Sequence, residues 1–173
     1  MATSIYDLSV PTFLQTVRAM AGVLDRAAAH CAETGADPDD FVHARLFDDM
    51  APFHFQIRSV AHHSVGALEG VRSGLFHPPA AVGPLPYADL QAMVARTDET
   101  LRAFDAEEVN GWAGKDVAFQ IGERKIPFTA ENFILSFSLP NFHFHATTAY
   151  DILRSKGVPL GKRDYMGRMR LKT

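Results

Sequence analysis

Apolar positions recur at intervals of three and four along most of the chain, a period that predicts helices. Between 10 and 34, Val10, Phe13, Leu14, Val17, Met20, Leu24, Ala27, Ala28 and Cys31 share one face. Ser9 suits the cap, Pro11 the first turn and Gly35 the C′ position. After Asp37-Pro-Asp-Asp40, a short helix or turn is expected over 41–46. A second stripe is formed by Phe53, Gln56, Ile57, Val60, Ser64, Ala67, Leu68 and Val71. It predicts a helix over 49–72, capped by Asp49, with Pro52 in its first turn and Gly74 as its stop. Pro78, Pro79, Gly83, Pro84 and Pro86 then form a long stiff crossover, not a tight turn. A third helix is predicted over 87–105, with Leu90, Met93, Val94, Thr97, Leu101 and Phe104 inward.

The period then drops to two. Val117, Phe119 and Ile121 alternate, Gly122 turns the chain, and Ile126 and Phe128 follow, which predicts a small β-hairpin with Pro127 on an edge. Thr129 caps a fourth helix that runs to about 156, stopped by Gly157 and Pro159. Residues 161–173 read as an irregular basic tail carrying Lys162, Arg163, Arg168, Arg170 and Lys172. Four long amphipathic helices predict an all-α four-helix bundle, one domain over 1–173, with a long crossover between helices two and three and a hairpin between three and four.

Composition narrows the function classes. The chain is 47% hydrophobic and 21% charged, as expected of a globule that buries its own core. A net charge of −3 gives no reason to expect nucleic acid or an anionic membrane as partner. A single cysteine, Cys31, excludes an intrachain disulfide and a multi-thiolate zinc site. No run approaches a membrane span, no signal peptide is read at the start, and a cytoplasmic location is expected.

The candidate chemistry lies in Leu139-Pro-Asn-Phe-His-Phe-His145, where a proline, an amide and two histidines interrupt an apolar helix. Proline costs about 3 kcal/mol inside a helix. Pro140 is expected to kink the helix and free the Ser136 carbonyl, or to set the aim of Asn141. Helical geometry sends His143 and His145 to nearly opposite sides, whereas Asn141 and His145 share a face. Gln56 stands in the stripe of the second helix, with His63 two turns further on the same side. His54 and His62 fall off that stripe and are expected at solvent, with His62 and His63 diverging. A cluster of Gln56, Asn141 and His145 can satisfy its own hydrogen bonds with a water.

The 139–154 stretch Leu-Pro-Asn-Phe-His-Phe-His-Ala-Thr-Thr-Ala-Tyr-Asp-Ile-Leu-Arg and the Gly-Val-Pro-Leu-Gly-Lys-Arg-Asp-Tyr that follows resemble an uncharacterised microbial family of the DinB/YfiT-like superfamily. Asp-Asp-Met-Ala-Pro-Phe-His-Phe-Gln at 48–56 and Tyr6-Asp-Leu-Ser-Val-Pro-Thr-Phe13 fit the same family. The resemblance implies a DinB-like four-helix bundle, often dimeric. It also implies a divalent metal held by one histidine of helix two and a His-x3-His pair of helix four, serving thiol-dependent transferases and isomerases. Those positions fall here on Gln56, Asn141 and His145, so two amides replace imidazoles. The expected protein is therefore a homodimer with a degenerate metal site, a polar pocket of Gln56, Asn141 and His145 open to a small molecule, and no obligatory cofactor. The alternatives are a zinc- or nickel-dependent hydrolase or thiol transferase, with His145 as ligand aided by Asn141, Gln56, His63 or His54, and a dimeric interaction or stress-associated protein.

Overall fold

The computed structural model describes residues 3–172; Met1, Ala2 and Thr173, on which the expectations for the start of the chain and the end of the basic tail partly fall, lie outside the described residues. The chain is mostly helical, with a small three-stranded sheet added to the expected hairpin. Four helical stretches make up the bulk. They are α1 (Ile5–Thr34), a stretch comprising α2 (Phe53–Ala61), a π turn (His62–Gly66) and α3 (Ala67–Ser73), α4 (Tyr87–Arg102), and a last stretch. That last one comprises α6 (Ala130–Asn132), a second π turn (Phe133–Ser138) and α7 (Leu139–Ser155). Helix α1 packs on α4, α2 packs on both α7 and α4, and α7 touches α1. Between α4 and α6 lie α5 (Ala106–Asn110) and the strands β2 (Asp116–Ile121) and β3 (Arg124–Thr129); β1 (Leu75–Phe76) follows α3, and α8 (Lys162–Met166) lies near the end of the chain. No helix among the described residues is long and apolar enough to cross a membrane.

The helix starts differ from expectation because better caps exist nearby. Ser4 and Asp7 form a reciprocal capping box, so α1 begins at Ile5, not after Ser9. Ser9 is buried inside the helix and its hydroxyl donates to the Ile5 carbonyl, and Pro11 lies inside α1, past its first turn. The second helix begins at Phe53 rather than Asp49. Its first amides have no side-chain cap; Phe53 N–H donates to the Ala44 carbonyl and His54 N–H to the Val42 carbonyl. The short helix or turn expected over 41–46 lies earlier, as a 3-10 turn at Pro38–Phe41, from which Asp39 reaches across to accept the Tyr87 N–H at 2.7 Å and starts α4. Helix α4 stops at Arg102 because Asp105 caps the separate α5.

Gly35 and Gly74 adopt the left-handed conformation expected of C′ positions, and Thr129 caps the last helical stretch. Val117 pairs with Phe128 and Phe119 with Ile126 across the hairpin, with Pro127 on the outer strand. Strand β1, which two residues could not announce, runs parallel to β2 and places Phe76 beside His62, Phe119, Phe133 and Phe137. Gly70 permits this: a Cβ there would lie 3.0 Å from Phe76. The crossover after β1 is tied to α2 by Arg58, whose guanidinium donates to the Ala80 and Val82 carbonyls. The basic tail is helical over Lys162–Met166 and irregular from 167 to 172. Asp164 accepts the Gly161 N–H to start α8, and Arg26 pairs with Asp164 at 3.2 Å, which lays the segment against α1.

Candidate functional site

The π turns set the site. A π turn spaces its hydrogen bonds five residues apart and widens one turn of the helix, a feature concentrated at functional positions. In the second helical stretch it includes His62 and His63; in the last it ends just before Pro140. The two turns face each other, and the Ser138 hydroxyl donates to the His63 carbonyl at 2.7 Å. Leu139 N–H reaches back five residues to the Ile134 carbonyl. Pro140 then stands where the register changes, where a missing N–H does least harm. The proline thus accompanies a π turn.

Gln56 and His145 meet across α2 and α7. His145 Nδ1 lies 2.7 Å from Gln56 Oε1, while Gln56 Nε2 donates to the Ala51 carbonyl at 2.8 Å. The second bond fixes which end of the amide faces the imidazole. Because Oε1 can only accept, Nδ1 must carry the proton, and Nε2 of His145 holds the lone pair. Gln56 is 1% exposed, while its partners His145 and Ala51 are half-buried, so both bonds are partly shielded from solvent. Phe55 and Phe144 present edge-on contacts to the His145 ring, and His63 lies nearly parallel to it, with ring centroids 5.7 Å apart.

Burial decides the charge state. Desolvation, with a smaller contribution from His62, pushes His145 down to about 4. His63, 7% exposed, is pushed down to about 3 by burial, then by His62 and His145. Its Nδ1 is buried without a hydrogen-bond partner. Both rings are neutral at pH 7.

Asn141 is not joined to this pair. Its Nδ2 donates to the Phe137 carbonyl at 2.7 Å, a local repair of the backbone beside the π turn, and it makes no hydrogen bond to Gln56 or His145. His143 sits on the other side of α7, 3.3 Å from the Tyr165 hydroxyl of α8. His62 is half-buried rather than fully solvated: it packs on Phe76 at 4.5 Å, and its Nε2 donates to the His77 carbonyl at 2.9 Å. Its ring and that of His63 lie 5.3 Å apart, the spacing of other sequence neighbours such as Phe144 and His145 in α7. His54 is also drawn inward, near His43, with Nδ1 buried and unpartnered. Sequence reasoning that assumed a regular helix missed His62 and placed His63 second. The local sign of the π turn was Gly66, where a Cβ would meet His62 Nδ1 at 3.3 Å.

A divalent centre of the kind the resemblance implies needs at least three converging strong donors. Among the described residues no group of three His, Cys, Asp or Glu side chains is placed to hold a metal ion. Gln56 has both polar ends committed to protein partners, and Asn141 has its amide nitrogen committed to the backbone. The residues present do not fit a three-ligand centre.

The crystal structure of a DinB family member protein from Shewanella denitrificans is similar over 97% of this chain and 94% of that one, with a TM-score of 0.84 and 26% sequence identity. No curated protein matches the sequence. The family profile described as Domain of unknown function (DUF1993) matches residues 5–166. The helical chain with its small sheet, the DinB-like neighbour and a profile spanning nearly the whole length lead to one assignment: the chain belongs to the DUF1993 family, a DinB-like family.

Proposed function

We propose that this protein is a DinB-like four-helix bundle that binds a small neutral molecule through the Nε2 lone pair of His145, at a site derived from a metal centre. The observation that supports this reading most is the 2.7 Å bond between His145 Nδ1 and Gln56 Oε1. In metal sites the partner of the distal nitrogen orients the ring and fixes its tautomer. Gln56 does that here, from a position where the resemblance expects a ligand. An oriented, neutral imidazole beside aromatic edges accepts one N–H or O–H donor. It is one strong ligand short of even a two-point site unless His63 turns toward it. Catalysis is not part of this reading.

Isothermal titration of the full chain with zinc, nickel or manganese chloride at pH 7.5 is expected to show no one-to-one binding tighter than about 100 µM. Micromolar binding abolished by His145→Ala would overturn the proposal and restore a metal-dependent enzyme as the better reading.

A further inference from the structure

A second site, which shares no lining residue with the imidazole pair, lies where the folded-back tail runs along α1. Between them is a cavity of about 750 Å³, within the range of small-molecule sites. Its floor is Pro11 and Leu14 of α1, and its outer wall is Met169 and Leu171 of the tail. Those two tail residues are 52% and 73% exposed, the largest apolar exposures on this segment. Arg168 and Arg170 alternate with them, and Arg18 of α1 also lines the cavity.

The three guanidinium groups are not equivalent. Arg18 is engaged by Asp98 at 2.6 Å, an anion it shares with Arg102. Arg170 donates to the Thr12 hydroxyl at 3.3 Å and faces Asp7 closely enough to hold that carboxyl below its usual range, after the hydrogen bonds from Ser4. Among the described residues Arg168 makes no ion pair and no hydrogen bond. The groove therefore combines an apolar channel with a cation that lacks a counter-charge, on a chain whose net charge is −3. The tail is held in place by Gln15, which also lines the groove and whose Nε2 donates to the Met166 carbonyl, and from outside the groove by Arg26 on Asp164.

We infer that this groove binds a single-chain anionic amphiphile, a free long-chain carboxylate, with its head on Arg168 and Arg170 and its chain along Leu14, Met169 and Leu171. Charge complementarity selects the anion. The lining between helix and tail selects one alkyl chain rather than a bilayer, since α8 is only five residues long and offers no extended amphipathic face. The inference is independent of the His145 site.

Sodium dodecanoate, below its micellar concentration, is titrated into the full chain by calorimetry. The expected result is saturable one-to-one binding, weakened at least about tenfold by Arg168→Glu with Arg170→Glu, with dodecan-1-ol binding more weakly than the carboxylate. Both substituted side chains are exposed, and an unchanged melting temperature confirms folding. Met169→Ser with Leu171→Ser tests the apolar arm and is expected to weaken binding without touching the charge. No saturable binding at millimolar dodecanoate, equal affinity for dodecan-1-ol, or indifference to all four substitutions would overturn the inference. So would binding only to phosphatidylglycerol vesicles, which would assign the tail to a membrane surface.

Discussion

Acidification from pH 7 to 4.5 is expected to cost the folded state about 2–5 kcal/mol, with most of the loss traced to two histidines. His63 and His145 are pushed down to about 3 and about 4 in the folded chain, chiefly by burial. In the unfolded chain each returns to roughly 6.5. Above that value both states hold the rings neutral and stability is flat with respect to these groups. Below it the unfolded state takes up protons that the folded state refuses, so stability falls as pH falls, until the folded rings titrate near 4 and 3. His54, His62 and His143 are also lowered, led by burial, and add to the same limb. His63→Phe is the discriminating variant. His63 contacts Phe76 and Phe137 edge to face or tilted, and its Nδ1 has no partner. A phenyl ring removes an orphaned polar atom and a titrating group together. The variant is expected to be as stable as the parent at pH 7.5 or more so, and to lose less stability at pH 4.5. Urea unfolding at several pH values measures both. An acid limb unchanged in the variant would show that this ring is not what couples the fold to pH.

The second large effect is expected at Gln56. Gln56→Leu keeps the volume and removes both hydrogen bonds, leaving the His145 Nδ1–H and the Ala51 carbonyl without partners. Each orphan costs about 1–3 kcal/mol, so the loss is about 2–5 kcal/mol in urea unfolding at pH 7.5. Gln56→Glu separates the two bonds. A carboxylate still accepts from Nδ1 but cannot donate to Ala51. It also favours the imidazolium, so the His145 pKa is expected to rise while part of the stability is lost. If Gln56→Leu were neutral, the amide would not be what holds the ring.

Much of the fold was legible because amphipathic stripes survive interruption. Phe53, Gln56, Ile57, Val60, Ser64, Ala67, Leu68 and Val71 are all buried, although a π turn runs through the middle of that stripe. The hairpin announced itself by alternation, and Gly35 and Gly74 by their place at helix ends. Starts were less legible, since Asp39, Val42 and Ala44 serve helix starts through partners that a linear window does not join, whereas the Ser4–Asp7 box was legible and was passed over for Ser9. The chemistry was half legible. Gln56 and His145 share inward stripes of different helices, which suffices to suggest that they meet. The widened turns were not legible, because periodicity assumes a constant pitch. The packing of Phe76 on His62 depends on the short strand β1 and was not legible either, and Asn141 was paired with His145 rather than with its own backbone. Pro140 and Gly66 were the marks left by those turns, each legible alone as an ordinary kink or a small residue.

Everything proposed for the α2–α7 site depends on His145 being a neutral ring that donates from Nδ1 to Gln56 and keeps its Nε2 lone pair. Long-range proton–nitrogen correlation of the imidazole resonances, assigned through His145→Gln, reads this directly. The expected result at pH 7 is a Nδ1-protonated tautomer that persists to about pH 5 and shifts to the other tautomer, or to exchange between them, in Gln56→Leu. A Nε2-protonated ring, or an imidazolium at pH 7, would contradict the account.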